Sequence, residues 1–370
     1  MGEHEAMALV ARDMGDADRL GGVGGLGGAP GSGGADNVAD NVADNVDVET
    51  DEVAAGAAGG AALALYEVGA RARDYAQQSR AANTRRAYRA DWADFAAWCQ
   101  AHKLAALPAA PETVALYLTD LAASRKTSTL QRRLSAISQA HKAADLDTPT
   151  GHRAVRAVWS GIRRAKGTAQ EGKAPAVTRD LRAMVTILPP TLQGTRDRAL
   201  LLLGFAGAFR RSELVSLDVA DVTATRDGLV VNLRRSKTDQ EGEGRRIGIP
   251  YGSRPATCPV RAVQDWLAAS RLRAGPLFRG VNRHGQVRPT RLSDRAVALV
   301  VKRAAEAAGL DPARYAGHSL RAGLATAAAA AGVSERAIMA QTGHKSLPMV
   351  RRYIREGSLF NDNAAAEVGL

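Results

Sequence analysis

The sequence predicts a mainly helical chain of two folded units, the second carrying a small antiparallel sheet. Three observations lead there. Apolar residues recur at helical spacing between about residues 83 and 164. Residues 166–174 (Lys-Gly-Thr-Ala-Gln-Glu-Gly-Lys-Ala) then lose that periodicity and end at Pro175, as a linker does. Further on, two short runs, 229–233 (Leu-Val-Val-Asn-Leu) and 245–249 (Arg-Arg-Ile-Gly-Ile), flank a Glu-Gly-Glu-Gly turn at 241–244, the signature of paired strands.

In chain order, residues 1–60 come first and are expected to be disordered. They are rich in Gly, Ala and Asp, and the tract Asp36–Val46 repeats every four residues with modest helix formers. Met7 and Met14 are alternative starts. A helical bundle is expected over 61–165. Its first helix carries Tyr88, Trp92, Phe95 and Cys99 on one face and is capped at Asn83 or Thr84. The second opens on Pro111 and carries Val114, Leu116, Tyr117 and Leu121. The third, capped at Thr127 or Ser128, repeats Leu130, Leu134, Ile137 and His141. The fourth places Val155, Val158, Trp159 and Ile162 on one stripe, with Arg153, Arg156, Arg163 and Arg164 mostly off it. After the linker, 175–370 forms the second domain: an apolar helix over 196–209, the strand pair, then helices from Cys258 to the end, stopping at Gly309, Gly332 and Gly343.

Composition narrows the function. The net charge of +12 is unevenly spread: residues 1–60 hold twelve acidic and two basic groups, while the other 310 hold 48 basic and 26 acidic, a surplus of 22. Such a surplus suits a polyanionic partner, because each neutralised phosphate releases counterions. Cys99 and Cys258 form no Cys-x-x-Cys pattern, so neither a zinc ribbon nor a disulfide framework is indicated. No apolar run approaches the ~20 residues a membrane span needs, and the N-terminus lacks the basic and apolar regions of a secretory signal. A cytoplasmic protein without membrane partners is expected.

A set of residues in the second domain carries chemistry. Tyr353 is a potential nucleophile, but a phenol with a pKa near 10 needs its proton accepted or its anion stabilised. Arg210, in Arg-Arg-Ser-Glu-Leu, and Arg321, in His-Ser-Leu-Arg, suit the non-bridging oxygens of a phosphodiester under attack. His318 and His344 can hydrogen-bond a phosphate or move protons near neutral pH, and His318 and Arg321 at i, i+3 share a helix face. Lys237, in Arg-Ser-Lys-Thr-Asp, can protonate a departing alkoxide, and Glu213 can orient a neighbouring cation. Taken singly, each has an ordinary explanation: a packing tyrosine, a helix-terminal arginine, a structural histidine, a solvated hairpin lysine. A zinc site fails for want of a third and fourth ligand at usable spacing.

Together, the order Arg-x-Ser-Glu-Leu, lysine hairpin, His-x-Leu-Arg, Gly-His and a tyrosine nine residues after that histidine resembles the tyrosine recombinase (phage integrase) family. The resemblance covers about residues 75–370, including Asn83-Thr84-Arg85-Arg86-Ala87-Tyr88 at the opening of a core-binding domain. It implies a SAM-like helical core-binding bundle and an α+β catalytic domain closing as a C-shaped clamp on double-stranded DNA. It implies that Tyr353 forms a 3′-phosphotyrosyl link, that Arg210, Lys237, His318, Arg321 and His344 surround the phosphate with Glu213 in support, and that no metal or nucleotide cofactor takes part. Such enzymes act at specific sites as homotetramers through a four-way junction, and the segment after Tyr353 is expected to dock on a neighbouring subunit. The absence of an arm-binding pattern in the acidic tail suggests a simpler, Cre- or Xer-like arrangement in a bacterial or phage-like, nucleoid-associated setting. Arg132, Arg133, Arg153 and Arg156 are candidate DNA contacts. The choice of Arg210 over Arg211 rests on spacing to Ser-Glu-Leu, and Ala322 departs from the His or Arg often found in Xer-type members. The rival readings are a type IB topoisomerase, which relaxes supercoils on arbitrary sequence, and a non-catalytic DNA-binding regulator.

Overall fold

A computed structural model of the chain describes residues 82–168, 172–234, 236, 243–344 and 346–357, with four positions between 68 and 75. The acidic tail, Lys237 and the segment 358–370 lie outside the described residues. The chain divides into two compact units, Met1–Gln170 and Glu171–Leu370.

In the first unit four helices enclose one core: α1 (Ala82–Ala101), α2 (Pro111–Ala122), α3 (Thr127–Ala143) and α4 (Arg153–Lys166). Trp92, Phe95 and Cys99 of α1 meet Val114, Tyr117 and Leu118 of α2 and Leu130, Leu134 and Ile137 of α3. Phe95 and Tyr117 pack edge to face, with ring centroids 4.9 Å apart. His141 is buried as a structural donor and acceptor: Nε2 accepts the Ala109 N–H at 2.9 Å, and Nδ1 lies 2.9 Å from the Ile137 carbonyl. Burial lowers its pKa. Helix α1 already includes residue 82, so Asn83 and Thr84 lie inside its first turn rather than capping it. The residue before α3 is Lys126, one position ahead of the expected cap. His152 does cap α4 through its ring, accepting the Ala154 N–H at 3.3 Å, and the helix stops at Gly167, at φ 71°.

Arg133 is a core residue, which removes it from the DNA-contact candidates. Only 7% of it is exposed, and its guanidinium is spent on the Asp94 carboxylate and the Tyr117 hydroxyl. Period alone could not separate it from Arg132, which sits one step round the helix, more exposed, and reaches Asp91 at 3.2 Å. Arg153 and Arg156 are exposed on α4.

The second unit is built round α6 (Leu192–Ala206), whose Ala199–Leu203 stretch is buried on every side. Thr191 caps it by accepting the Gly194 N–H. Helix α5 (Thr178–Thr186) precedes it and the short α7 (Arg211–Ser216) follows. The sheet has three antiparallel strands, β1 (Val222–Thr225), β2 (Gly228–Leu233) and β3 (Arg245–Pro250), in that order. Leu229 pairs with Ile249 and Val231 with Ile247, which puts all four on the buried face. Then come α8 (Pro259–Ser270), β4 (Arg279–Val281) paired with β5 (Val287–Arg291), α9 (Asp294–Ala307), α10 (Ser319–Ala330), α11 (Glu335–Thr342) and α12 (Leu347–Gly357). The β4–β5 hairpin corrects the expectation of unbroken helices after Cys258. Its strands are short and largely exposed, so no alternation marks them, and Asn282 Oδ1 closes the turn by accepting the His284 and Gln286 N–H groups. The exposed strand β1 escaped notice for the same reason.

The start of this unit is strapped to α10. Ala174 N–H donates to the Arg314 carbonyl at 2.7 Å and Ala176 N–H to the Ser319 carbonyl at 2.9 Å. The approach is so close that a Cβ on Gly323 would lie 2.0 Å from the Ala176 oxygen. Among the described residues no helix is long and apolar enough to cross a membrane.

The Arg133 cluster predicts an asymmetry between two adjacent arginines. Arg133→Ala should lower urea-unfolding stability by about 2 kcal/mol, less than the ~3–5 kcal/mol of a fully enclosed pair because the Asp94 side chain is 41% exposed. Arg132→Ala, whose side chain is 44% exposed but faces the buried Asp91, should cost less, about 1 kcal/mol. Equal losses for the two would show that Arg133 is not held as described.

Candidate active site

Five elements of the second unit bring the chemical side chains together. Between α6 and α7 the chain turns through Ala208, whose φ of 48° is uncommon for a residue with a Cβ. The Ala208 carbonyl accepts Arg321 Nη1 at 2.7 Å. Two residues on, Arg210 stands at the N-terminal boundary of α7. Glu213, 3% exposed, accepts both the Arg210 backbone N–H, at 2.9 Å, and its guanidinium. Arg211 turns the other way, to Asp294 at 3.2 Å, so the geometry puts Arg210, not its neighbour, in the cluster.

Arg321 and His318 come from the start of α10. Arg321 is 1% exposed, and its Nη2 is buried without a hydrogen-bond partner among the described residues. Burial, then the positive charge of Arg210, brings its pKa down to about 10. The Ala208 carbonyl and the surrounding packing hold this guanidinium in place.

His344 follows the C-terminus of α11, where Gly343 at φ 65° ends the helix in the left-handed region. Thr342 fixes the tautomer of His344. Its hydroxyl donates to the Ile338 carbonyl at 2.7 Å and so must accept from His344 Nδ1, also at 2.7 Å. Burial, followed by the charges of Arg321 and Arg210, lowers the His344 pKa to about 3. The ring is therefore neutral at pH 7, with the proton on Nδ1.

Tyr353 lies on α12, which docks through the small cluster Ala325, Ala329, Ile338 and Val350. Its hydroxyl is 2.6 Å from His318 Nε2, and its ring centroid is 5.9 Å from that of His344. His318 keeps a face open to solvent, yet the protein packed round it, with the charges of Arg321, Arg210 and Arg352, lowers its pKa. A neutral His318 has a ring nitrogen able to accept a hydrogen bond from the phenol. Lys237 lies outside the described residues, so five of the six expected catalytic groups are brought together here, with Glu213 supporting Arg210.

One further cation stands among them. Arg245, the first residue of β3, donates through Nη1 to the Ala340 and Gln341 carbonyls at 3.3 and 3.1 Å. Burial, which outweighs the opposing charge of Glu213, lowers its pKa. The sequence held a signal for it: strand parity puts residue 245 on the inward face of Ile247 and Ile249, where an arginine is out of place. No group of three or more potential metal ligands occurs among the described residues.

The profile of the phage integrase family matches residues 178–358, and that of the phage integrase N-terminal SAM-like domain matches 74–145. The chain is 47% identical over 292 residues to an integrase/recombinase xerD homolog of Selenomonas ruminantium, covering 78% of this chain and 86% of that protein. The chain belongs to the phage integrase family of tyrosine recombinases. This recombinase is also 27% identical over 281 residues to the recombinase cre of Escherichia phage P1, covering 70% and 80% of the two chains. Its fold is similar to that of the XerH site-specific recombinase bound to difH substrate in a pre-cleavage complex, with a TM-score of 0.53, 15% identity, and 76% and 80% of the chains covered. Against that family pattern the recombinase has Ala322, buried at 3% exposure in α10.

The neutral His344 has a measurable signature. Unfolded, it takes up a proton below about pH 6.5; folded, it refuses one until about pH 3. The unfolded state binds more protons in that window, so this group's contribution to stability is lost progressively as pH falls through it. His344→Gln should flatten the fall in unfolding free energy between pH 6.5 and 4, by roughly 1 kcal/mol per pH unit at most. Parallel curves for variant and wild type would show that His344 titrates normally.

Proposed function

We propose that the enzyme is a site-specific DNA recombinase that moves phosphodiesters between strands through Tyr353. The observation that carries the reading is the 2.6 Å contact between the Tyr353 hydroxyl and His318 Nε2, set among buried guanidiniums. The Tyr353 oxygen attacks phosphorus as its proton passes to His318. Arg210 and Arg321 bind the two non-bridging oxygens as charge builds on them, and His344 lies against the same phosphate. The bond from phosphorus to the 5′ oxygen breaks, and Lys237 gives that oxygen a proton. A 5′-hydroxyl from a partner strand then reverses the step, so no bond energy is lost and no metal or nucleotide is called for.

The same reading extends to the assembly. The bundle at 61–165 and the catalytic domain at 175–370, joined by the linker at 166–174, each bind double-stranded DNA. Arg153 and Arg156, exposed on α4, and Arg132 are suited to backbone phosphates. Four protomers exchange one pair of strands at a time through a four-way junction, with residues 358–370 docked on a neighbour. The surplus of 22 positive charges beyond residue 60 supports a DNA partner, as do relatives named as recombinases. The absence of a membrane-crossing helix among the described residues fits a cytoplasmic, nucleoid-associated enzyme.

Covalent trapping tests the core of this reading. On nicked suicide duplexes tiled from DNA flanking the gene, wild-type protein should give a detergent-resistant adduct that disappears in Tyr353→Phe. An adduct that persists in the variant moves the nucleophile elsewhere, and specific binding without any adduct favours a regulator. The pH dependence of single-turnover cleavage tests the base. The His318 pKa is lowered, so its proton-accepting form prevails from pH 8 down past 6.5. The rate should be flat over that range and fall only in more acid solution; a fall centred above pH 6.5 would exclude His318 as the acceptor.

A further inference from the structure

The cations of the site outnumber those the strand-transfer reading uses. Arg210, Arg321 and Arg245 are coupled through space, and each acts on the ring of His344. Glu213 is the carboxylate that acts on Arg321 and Arg245 in return.

Arg245 is also placed to hold another residue. Its Nη1 is bonded to the carbonyls of Ala340 and Gln341 in the last turn of α11, the negative end of the helix dipole. Immediately beyond lies Gly343, where a Cβ would come within 2.8 Å of the Arg245 guanidinium. His344 is the next residue. At its other end, β3 begins where the hairpin bearing Lys237 finishes. The opposite foot of that hairpin is pinned as well, by Arg234 Nη2 on Asp218 and on Asp221 at 2.7 Å. Arg245 Nη2 is buried without a partner among the described residues.

We propose that Arg245 is a further positioning residue for strand cleavage: it ties the start of β3 to the end of α11 and so sets His344 against the phosphate. The inference rests on the strand-transfer reading of the site. It acts through His344, so the two residues are not independent in the reaction.

A double-mutant cycle on adduct formation tests it, with Tyr353→Phe as the control. Arg245→Gln should slow single-turnover cleavage about 50-fold while leaving affinity for the site DNA within about threefold. Arg245→Lys keeps the charge but lacks the planar guanidinium that lies against Gly343, and should recover less than about a tenth of the lost rate. In a His344→Gln background, Arg245→Gln should cost no more than about threefold further. Full recovery by Lys, or effects that multiply in the double variant, would overturn the proposal. If the Gln variant does not fold, Arg245→Lys carries the same cycle. NMR titration of the His344 ring in DNA-free protein separates this inference from the reading beneath it. The ring should titrate at higher pH in Arg245→Gln, and an unmoved titration sinks the inference even where wild type forms its adduct. A wild type that binds its site and forms no adduct sinks strand transfer, and with it the role of Arg245 in cleavage.

Discussion

Guanidinium groups repel one another, and this fold holds several of them out of water at close quarters. That constraint governs the second unit. A buried arginine is tolerated only where carbonyls and carboxylates receive it, and each of these has a receiver of its own. Arg321 has the Ala208 carbonyl, Arg210 has Glu213, and Arg245 has the end of α11. The left-handed turn at Ala208 and the left-handed stop at Gly343 are the backbone geometry that makes two of these receivers possible. Local strain and mutual repulsion are carried by the packing of α6, which is buried along its central length.

The same cations also act on the imidazoles. Burial opposes protonation first and the positive neighbours add to it, so His318 and His344 both have lowered pKa values. A neutral His318 has a lone pair to offer Tyr353, whereas a charged one would have none. By contrast, Tyr353 sits on α12, anchored through a cluster of small and medium side chains rather than the main core of the unit.

The sequence was informative where residue type and spacing carry chemistry. His318 and Arg321 at i, i+3, and Gly343-His344 ahead of Tyr353, could be placed in one site because their spacing has a reaction to explain it. Ser-Glu-Leu likewise separated Arg210 from Arg211, since only one of them can be received by Glu213. Elsewhere local pattern was silent. Arg132 and Arg133 read alike, and only the tertiary position of Asp94 and Tyr117 shows that one is core. Strands β1, β4 and β5 are too short and too exposed to alternate. Arg245 did alternate, but an isolated arginine on an apolar strand face means nothing until the helix end it faces is known.

The strap at the start of the second unit has a mechanical consequence. Ala176 is hydrogen-bonded to Ser319, which lies between His318 and Arg321's turn, and Gly323 lets the two backbones touch. The first turn of α10 thus takes part of its position from residues 174–176, so His318 and Arg321 share an anchor with the chain's entry into this unit.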